Sequence, residues 1–231
     1  MGCPGNRDIA RKGLLPPRCA EALDKRDALP RSILMMTRCE MHIVAFNGSA
    51  RKNGNTAMMI GYLFEELEKA GITTEMVQLA GEHPHGCIAC YQCFKKKDGR
   101  CVVEHDCINS CIAKMEAADA IVIASPTYFA DISTETKALI DRAGMTSRAN
   151  GDMFKRKLGA AIVTQRRGGA IHAFDSINHF FTIGQMIIVG SSYWNIGFGR
   201  EKGEVAEDKE GIATMYELGK NMAWLLNKIH R

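Results

Sequence analysis

The sequence predicts an α/β fold built on a doubly wound, five-stranded parallel sheet. Three observations carry this prediction. Short apolar runs recur along the chain, helix-period segments alternate with them, and the first run passes straight into a glycine-containing polar loop. With 231 residues, 46% hydrophobic and 24% charged, the chain is long enough to bury a sizeable core and has an ordinary globular balance.

The elements follow in order. Residues 42–47 (HIVAFN) form the first strand. Asn55 and Thr56 are suited to cap a helix in which Met59, Leu63, Leu67 and Ala70 repeat at helical spacing until Gly71 ends it. Residues 73–79 form the second strand, and a cysteine-rich segment precedes a helix marked by Ile108, Ile112 and Met115. Residues 120–125 (AIVIAS) are a buried third strand and 134–143 a helix. Residues 158–164 form the fourth strand, 171–183 a helix and 186–189 the fifth strand. Ile212, Met215, Leu218, Met222, Leu225 and Ile229 mark the last helix. In such a sheet a ligand binds beyond the carboxyl ends of the strands.

Charge and composition exclude several functions. Residues 1–40 hold eight basic and five acidic residues, which leaves 22 against 21 for the remainder of a chain whose net charge is +4. A near-neutral body offers no electrostatic footprint for nucleic acid. No apolar run approaches the roughly 20 residues that span a bilayer. Residues 1–40 also contain four of the six prolines and no sustained apolar period, so they read as an extension, disordered or opened by a mis-assigned start. Residues 41–231 read as one domain. Nine cysteines, an odd number, with no apolar leader ahead of them indicate a reducing, cytoplasmic setting.

The most informative motif is NGSARKNGNT (47–56), which joins the first strand to the first helix. It is neither a Walker A loop nor GxGxxG. Its hydroxyls, amides and backbone N–H groups lie at a helix N-terminus, which favours an anion. An ordinary capped β–α loop would share some of these residues. HIVAFNGSARKNGNT (42–56), however, closely resembles the opening of the NADPH-dependent FMN reductase families, flavodoxin-like proteins that read as a strand followed by GSPRKxGNT. The resemblance implies the strand order 2-1-3-4-5 and makes Ser49, Arg51, Asn53, Asn55 and Thr56 the ligands of the FMN phosphate. Ala50 stands where proline is usual. ASPTYFADIS (124–133) resembles the SPxYxxxxS segment of the same family. That match implies that Pro126 and Thr127 shape a turn and that Tyr128 and Phe129 offer the isoalloxazine ring an apolar wall. In TQRRGG (164–169), a third match, Arg166 and Arg167 are placed to attract the phosphates of NAD(P)H.

The segment GCIACYQCFKKKDGRC (86–101) sets Cys87, Cys90, Cys93 and Cys101 at C-x2-C-x2-C-x7-C spacing. The chemistry open to it is a disulfide knot, a zinc site, an iron–sulfur cluster or a redox switch. A reducing setting disfavours the knot, and zinc sites more usually come as two separated knuckles. The three-plus-one spacing begins like the bacterial ferredoxin run. The arrangement resembles the iron–sulfur flavoproteins, which join the same FMN domain to C-x2-C-x2-C-x(4–7)-C in this position. It implies a [4Fe–4S] cluster on the four cysteines, in a loop of residues 82–106 that overhangs the cofactor edge. A zinc or thiol-redox role and an inert cysteine-rich loop stay open. Cys107 and Cys111, four apart on the next helix, are either alternative ligands or buried free thiols.

The expectation is therefore a cytoplasmic, FMN-dependent, NAD(P)H-dependent reductase-like oxidoreductase whose cluster relays electrons to or from FMN. The flavin carries the chemistry and no side chain acts as acid or base. The expected partners are an electron donor such as ferredoxin or NAD(P)H, and further copies of the chain in a homodimer or homotetramer. Two alternatives stand beside it. One is a flavin-only NAD(P)H-dependent FMN or quinone reductase. The other is a non-catalytic electron carrier or a cysteine-based redox or metal sensor.

Overall fold

The computed structural model describes residues 40–230. The extension read into the first 40 residues lies, apart from Glu40, outside them. Among the described residues, no helix is long and apolar enough to cross a membrane.

The strands are β1 (His42–Asn47), β2 (Thr73–Gln78), β3 (Ala120–Pro126), β4 (Leu158–Gln165), β5 (Ile187–Ile188) and β6 (Ile196–Phe198). They form one sheet in the order β2-β1-β3-β4-β5, with β6 also paired to β4, and every pairing is parallel. The helices are α1 (Asn55–Lys69), α2 (Gln92–Lys96), α3 (Ile108–Ala117), α4 (Thr134–Ala149), α5 (Ala170–Ile183) and α6 (Lys209–Ile229), with a 3₁₀ turn at Glu204–Glu207.

Alternation along the buried strands builds two cores. Ile43 and Ala45 of β1, with Val122 and Ala124 of β3, face α1 and α6, where Met59, Leu63, Leu67, Met215, Leu218 and Met222 are buried. Val44 and Phe46, with Ile121 and Ile123, face α3, α4 and α5. Burying each such aliphatic side chain contributes about 1.5–3 kcal/mol, so the two layers hold the sheet from both sides. β2 departs from the apolar strand expected: as the sheet edge, TTEMVQ is only half-buried.

The fifth strand differs most from expectation. The sequence pattern places one run over 186–189, but the strand pairs with β4 twice: Ile187 and Ile188 lie beside Leu158 and Gly159, and Ile196 to Phe198 lie beside Val163 to Gln165. Between the two pieces the backbone leaves the sheet. Asn195 fills the gap, its Nδ2 donating to Ala161 O at 2.9 Å while its own carbonyl accepts from Val163 N. A buried strand carbonyl without a partner costs as much as a lost hydrogen bond, which explains a fully committed amide at this point. The detour matters because β6 carries the chain to Gly199 and Arg200.

Gly159 makes the α5 face tight. A Cβ built there would lie 2.8 Å from the Phe181 ring, itself fully buried. Gly159→Ala is expected to destabilise the protein by about 1–3 kcal/mol, because overpacking outweighs the gain from a stiffer unfolded chain. Urea unfolding checks this, with a lower midpoint at unchanged slope.

Candidate functional site

The site begins where β1 and β3 part, at the reversal of strand order. The turn after β1 is held by buried polar groups. Asn47 Oδ1 accepts from Ser49 N at 3.0 Å, Asn47 Nδ2 donates to Gln78 Oε1, and Gln78 Nε2 donates to Ser49 O at 2.6 Å. Ser133 Oγ donates to Gly48 O, and Gly48 N to Ala124 O. The loop is therefore set by its neighbours before any ligand arrives.

Asn55 and Thr56 do not cap the helix as expected. The N-cap is Gly54 in extended conformation, no side chain caps the end, and the first turn holds no acid. The helical ladder starts with Met58 N on Gly54 O, so the N–H groups of residues 55–57 precede it. Asn55 instead spends its amide on the loop after β6, donating to Glu201 O at 2.9 Å and accepting from Gly203 N at 2.8 Å and Val205 N. Thr56 lies two residues past the N-cap, too late to cap, and its hydroxyl meets that of Thr164 at 2.8 Å. The Arg51 guanidinium donates to Arg200 O at 3.0 Å, and Ser49 Oγ accepts from Arg51 N, which leaves the hydroxyl proton to donate elsewhere.

Above this helix end lies a cavity of about 190 Å³. It is lined by Ser49, Arg51, Asn55, Thr56, Pro126, Thr127 and Tyr128 among the expected residues, and it adds Thr164, Gln165, Arg166, Gly199 and Arg200. Asn53 and Phe129 do not line it. Three of the lining residues are arginines and none is a carboxylate, an arrangement that draws an anion to the positive end of α1. Thr127 Oγ1 is buried there without a hydrogen-bond partner, although Thr127 N is satisfied by Thr164 O. A buried hydroxyl left unpaired beside a cavity is the mark of a missing ligand atom. These features fit FMN: donors and positive charge for the phosphate, a hydroxyl and an aromatic rim for the rest.

The rim itself is strained. Tyr128 and Asp131 pair through 2.8 and 3.0 Å backbone bonds, which close a tight hairpin whose two central residues, Phe129 and Ala130, both have left-handed φ. Non-glycine residues rarely adopt this conformation, and it concentrates at ligand clamps. Gly169, at φ +91°, lies against the hairpin; a Cβ there would come 3.1 Å from Ala130. Asp131 is fastened to α5 by a 2.7 Å bond from Ser176 Oγ, the main cause that holds its carboxyl below the usual range. Phe129 sits fully exposed at the tip.

The cysteine segment follows β2, as expected, but its anchor is α4 and none of its residues lines the cavity. Arg142 of α4 is buried and pairs with the buried carboxylate of Asp106. It donates further to His85 O at 3.1 Å, Val103 O at 2.6 Å and Cys101 Sγ at 3.3 Å. Burial works to raise the Asp106 pKa, but the Arg142 hydrogen bond, the His85 and Ile108 N–H groups and the guanidinium charge outweigh it and hold the carboxyl low. Asn109 grips Cys101 at N and O. Cys87 and Cys90 are exposed, while Cys93 and Cys101 are partly buried, all four as free thiols. Burial raises the Cys93 pKa, and the charges of Cys101 and Cys90 add to the rise. Among the described residues no three His, Cys, Asp or Glu side chains stand grouped for a metal ion. The residues between the cysteines, Ala89 and Tyr91, are left-handed, as Lys97 and Gly99 are farther on, a pattern of turns that cup anions and clusters. Cys107 is hydrogen-bonded to Cys111, which lowers the pKa of the first and raises that of the second, so these two form a separate thiol pair.

Gly199 and Arg200 escaped the sequence reading because Arg200 sits 149 residues from Arg51 and both follow a strand too short to show a period. Arg142 escaped because an arginine amid a helix carries no signal of burial.

Comparison with known proteins agrees with this geometry. Residues 41–201 match the NADPH-dependent FMN reductase family. An iron–sulfur flavoprotein of Methanocaldococcus jannaschii is 31% identical over 198 residues, 83% of this chain and 100% of its own. One from Methanosarcina thermophila is 33% identical over 194 residues, 83% of this chain and 98% of its own. Among solved structures, the flavodoxin-like WrbA-like protein of Agrobacterium tumefaciens superposes at TM-score 0.56, with 14% identity over 83% of this chain and 99% of that one. The chain accordingly belongs to the NADPH-dependent FMN reductase family, FMN-binding oxidoreductases on a flavodoxin-like sheet.

Proposed function

We propose that the chain is a cytoplasmic electron-transfer flavoprotein in which a [4Fe–4S] cluster on Cys87, Cys90, Cys93 and Cys101 exchanges electrons with FMN. The observation that carries this reading is the C-x2-C-x2-C-x7-C segment itself, whose last cysteine is fixed at N and O by Asn109 and at Sγ by Arg142 while the other three stand as free thiols. The iron–sulfur flavoproteins among its relatives support it. Bound FMN supplies two-electron and one-electron chemistry, and the cluster supplies one-electron chemistry.

The chain's own residues bind and orient. Ser49 Oγ, the N–H groups at the start of α1, Arg51 and Arg200 take the phosphate. Asn55 and Thr56 act mainly by holding the neighbouring loops, and Asn53 has no evident contact to offer. Pro126 and Thr127 set the turn beneath the ring, with Thr127 Oγ1 donating to it, and Tyr128 walls it, while Phe129, exposed at the hairpin tip, could reach the ring only from outside the cavity. Cys101 is the fourth iron ligand, the one cysteine of the segment held by side chains of the α3 and α4 helices, Asn109 and Arg142. Residues 41–231 act as one domain and 82–106 as its cluster loop. An electron donor such as ferredoxin or NAD(P)H reaches the exposed rim, and the chain works as a homodimer or homotetramer. The second reading, a flavin-only NAD(P)H-dependent reductase, is favoured by Arg166, which lines the cavity and is exposed where a dinucleotide phosphate would approach.

Two measurements test this. Anaerobically purified protein is expected to carry about four iron and four sulfide per chain together with FMN, and Cys90→Ser to lose the iron while keeping FMN. Flavin without iron in the wild-type protein would leave the flavin-only reading, and loss of FMN with Cys90→Ser would make the segment structural. Thr127→Val is expected to weaken FMN binding by up to about tenfold, the value of one hydrogen bond. Because the hydroxyl has no internal partner, unfolding of the apo protein should stay unchanged. Flavin fluorescence titration and thermal unfolding check the two halves.

A further inference from the structure

Arg142 is more than an anchor. Its side chain has no exposed surface, and its acceptors all belong to the segment that carries the cysteines: the Asp106 carboxylate, the carbonyls of His85 and Val103, and the sulfur of Cys101. A guanidinium suits this task because its donors lie in one rigid plane, so gripping the two carbonyls and the carboxylate fixes where Nε points. Nε points at Cys101 Sγ from 3.3 Å. Asn109 fixes the same residue at N and O, at 2.8 and 2.9 Å. Cys101 is thus held at three atoms, whereas Cys87 and Cys90 are exposed.

We propose that Arg142 is a positioning residue that presets Cys101 as the first fixed ligand of the cluster, and that its N–H···S bond raises the cluster's reduction potential. The proposal rests on the cluster reading above. Adding an electron to a cluster puts more negative charge on its sulfurs, and a cationic donor shielded from water favours that state. The carboxylate of Asp106, paired to the same guanidinium, acts in the opposite sense. Charge and bond together therefore define a sign for each substitution that loosening of the loop alone would not produce.

The test compares wild-type protein with Arg142→Lys and Asp106→Asn, each purified anaerobically. Arg142 does not line the FMN cavity, so both variants are expected to retain one FMN per chain, which serves as the check on folding. In Arg142→Lys the equilibrium constant for cluster reduction is expected to fall about tenfold, 59 mV for one electron. In Asp106→Asn it is expected to rise. Equal potentials in wild type and Arg142→Lys, or shifts of the same sign in both variants, would overturn the redox role. Where a variant does not keep its cluster, the apo proteins are alkylated with iodoacetamide and the cysteine peptides followed by mass spectrometry. Faster labelling of Cys101 in Arg142→Lys, about tenfold, with Cys87 unchanged, supports the positioning role; unchanged Cys101 labelling overturns it. Wild-type protein without iron would sink the cluster reading and the potential with it, while the labelling contrast still judges the hold of Arg142 on Cys101.

Discussion

The constraint on which the rest depends is the unspent amino end of α1. A parallel sheet with helices between its strands brings strand carboxyl ends and helix amino ends to one side, and at the parting of β1 and β3 one such end opens outward. A side-chain cap there would contribute about 1 kcal/mol to the fold and would fill the anion site with the protein's own oxygen. The chain forgoes it: Asn55, well placed in sequence to cap, is turned away to the 201–205 loop. The same choice brings Arg200 to the cavity beside Arg51 and Arg166. Three arginines and no carboxylate line the cavity, and although Arg200 also pairs with Glu201 at 3.2 Å, the empty cap and this excess of positive charge are two aspects of one site suited to an anion.

The fold was legible where burial leaves a mark on composition. HIVAFN, AIVIAS and LGAAIVTQ are apolar because both faces of the sheet are covered, and no other environment asks for that pattern at that length. The split of the fifth strand was not legible. Its second half, IGF, is three residues long and flanked by polar and glycine residues, and beside its backbone pairing with β4 a side chain, Asn195, replaces the missing rung of the ladder just before it. Of the candidate site, the loop after β1 and the turn after β3 could be read from resemblance. Which of their side chains face the cavity could not, because Asn53 and Phe129 differ from their neighbours only in orientation, and orientation is decided by long-range bonds such as Asn55 to Glu201.

The cysteine segment obeys different physics from the sheet beneath it. It contributes little core, exposing Ile88, Tyr91 and Phe94, and it holds Ala89, Tyr91 and Lys97 in left-handed backbone at a cost of about 1–3 kcal/mol each. Something outside the segment must select that shape. Apolar packing could bury it as well, but it offers no donors to the carbonyls of His85 and Val103 or to the sulfur of Cys101. A buried ion pair is weak as a source of net stability and strong as a source of geometry. Here Asp106 supplies the counter-charge and Arg142 the fixed fork of donors.

The sign of the Asp106 shift indicates when that grip operates. Its folded-state pKa lies below the ordinary carboxylate value of about 3.9, so the pairing contributes fully above that value and is lost only as pH falls through the lower, folded one. Across neutral pH the carboxylate stays charged and the guanidinium, whose pKa is raised against its burial chiefly by the Asp106 bond, stays charged with it. The hold on Cys101 is therefore constant across neutral pH. A clamp indifferent to protons in this range makes Cys101 a fixed point of the segment, held at N, O and Sγ by Asn109 and Arg142.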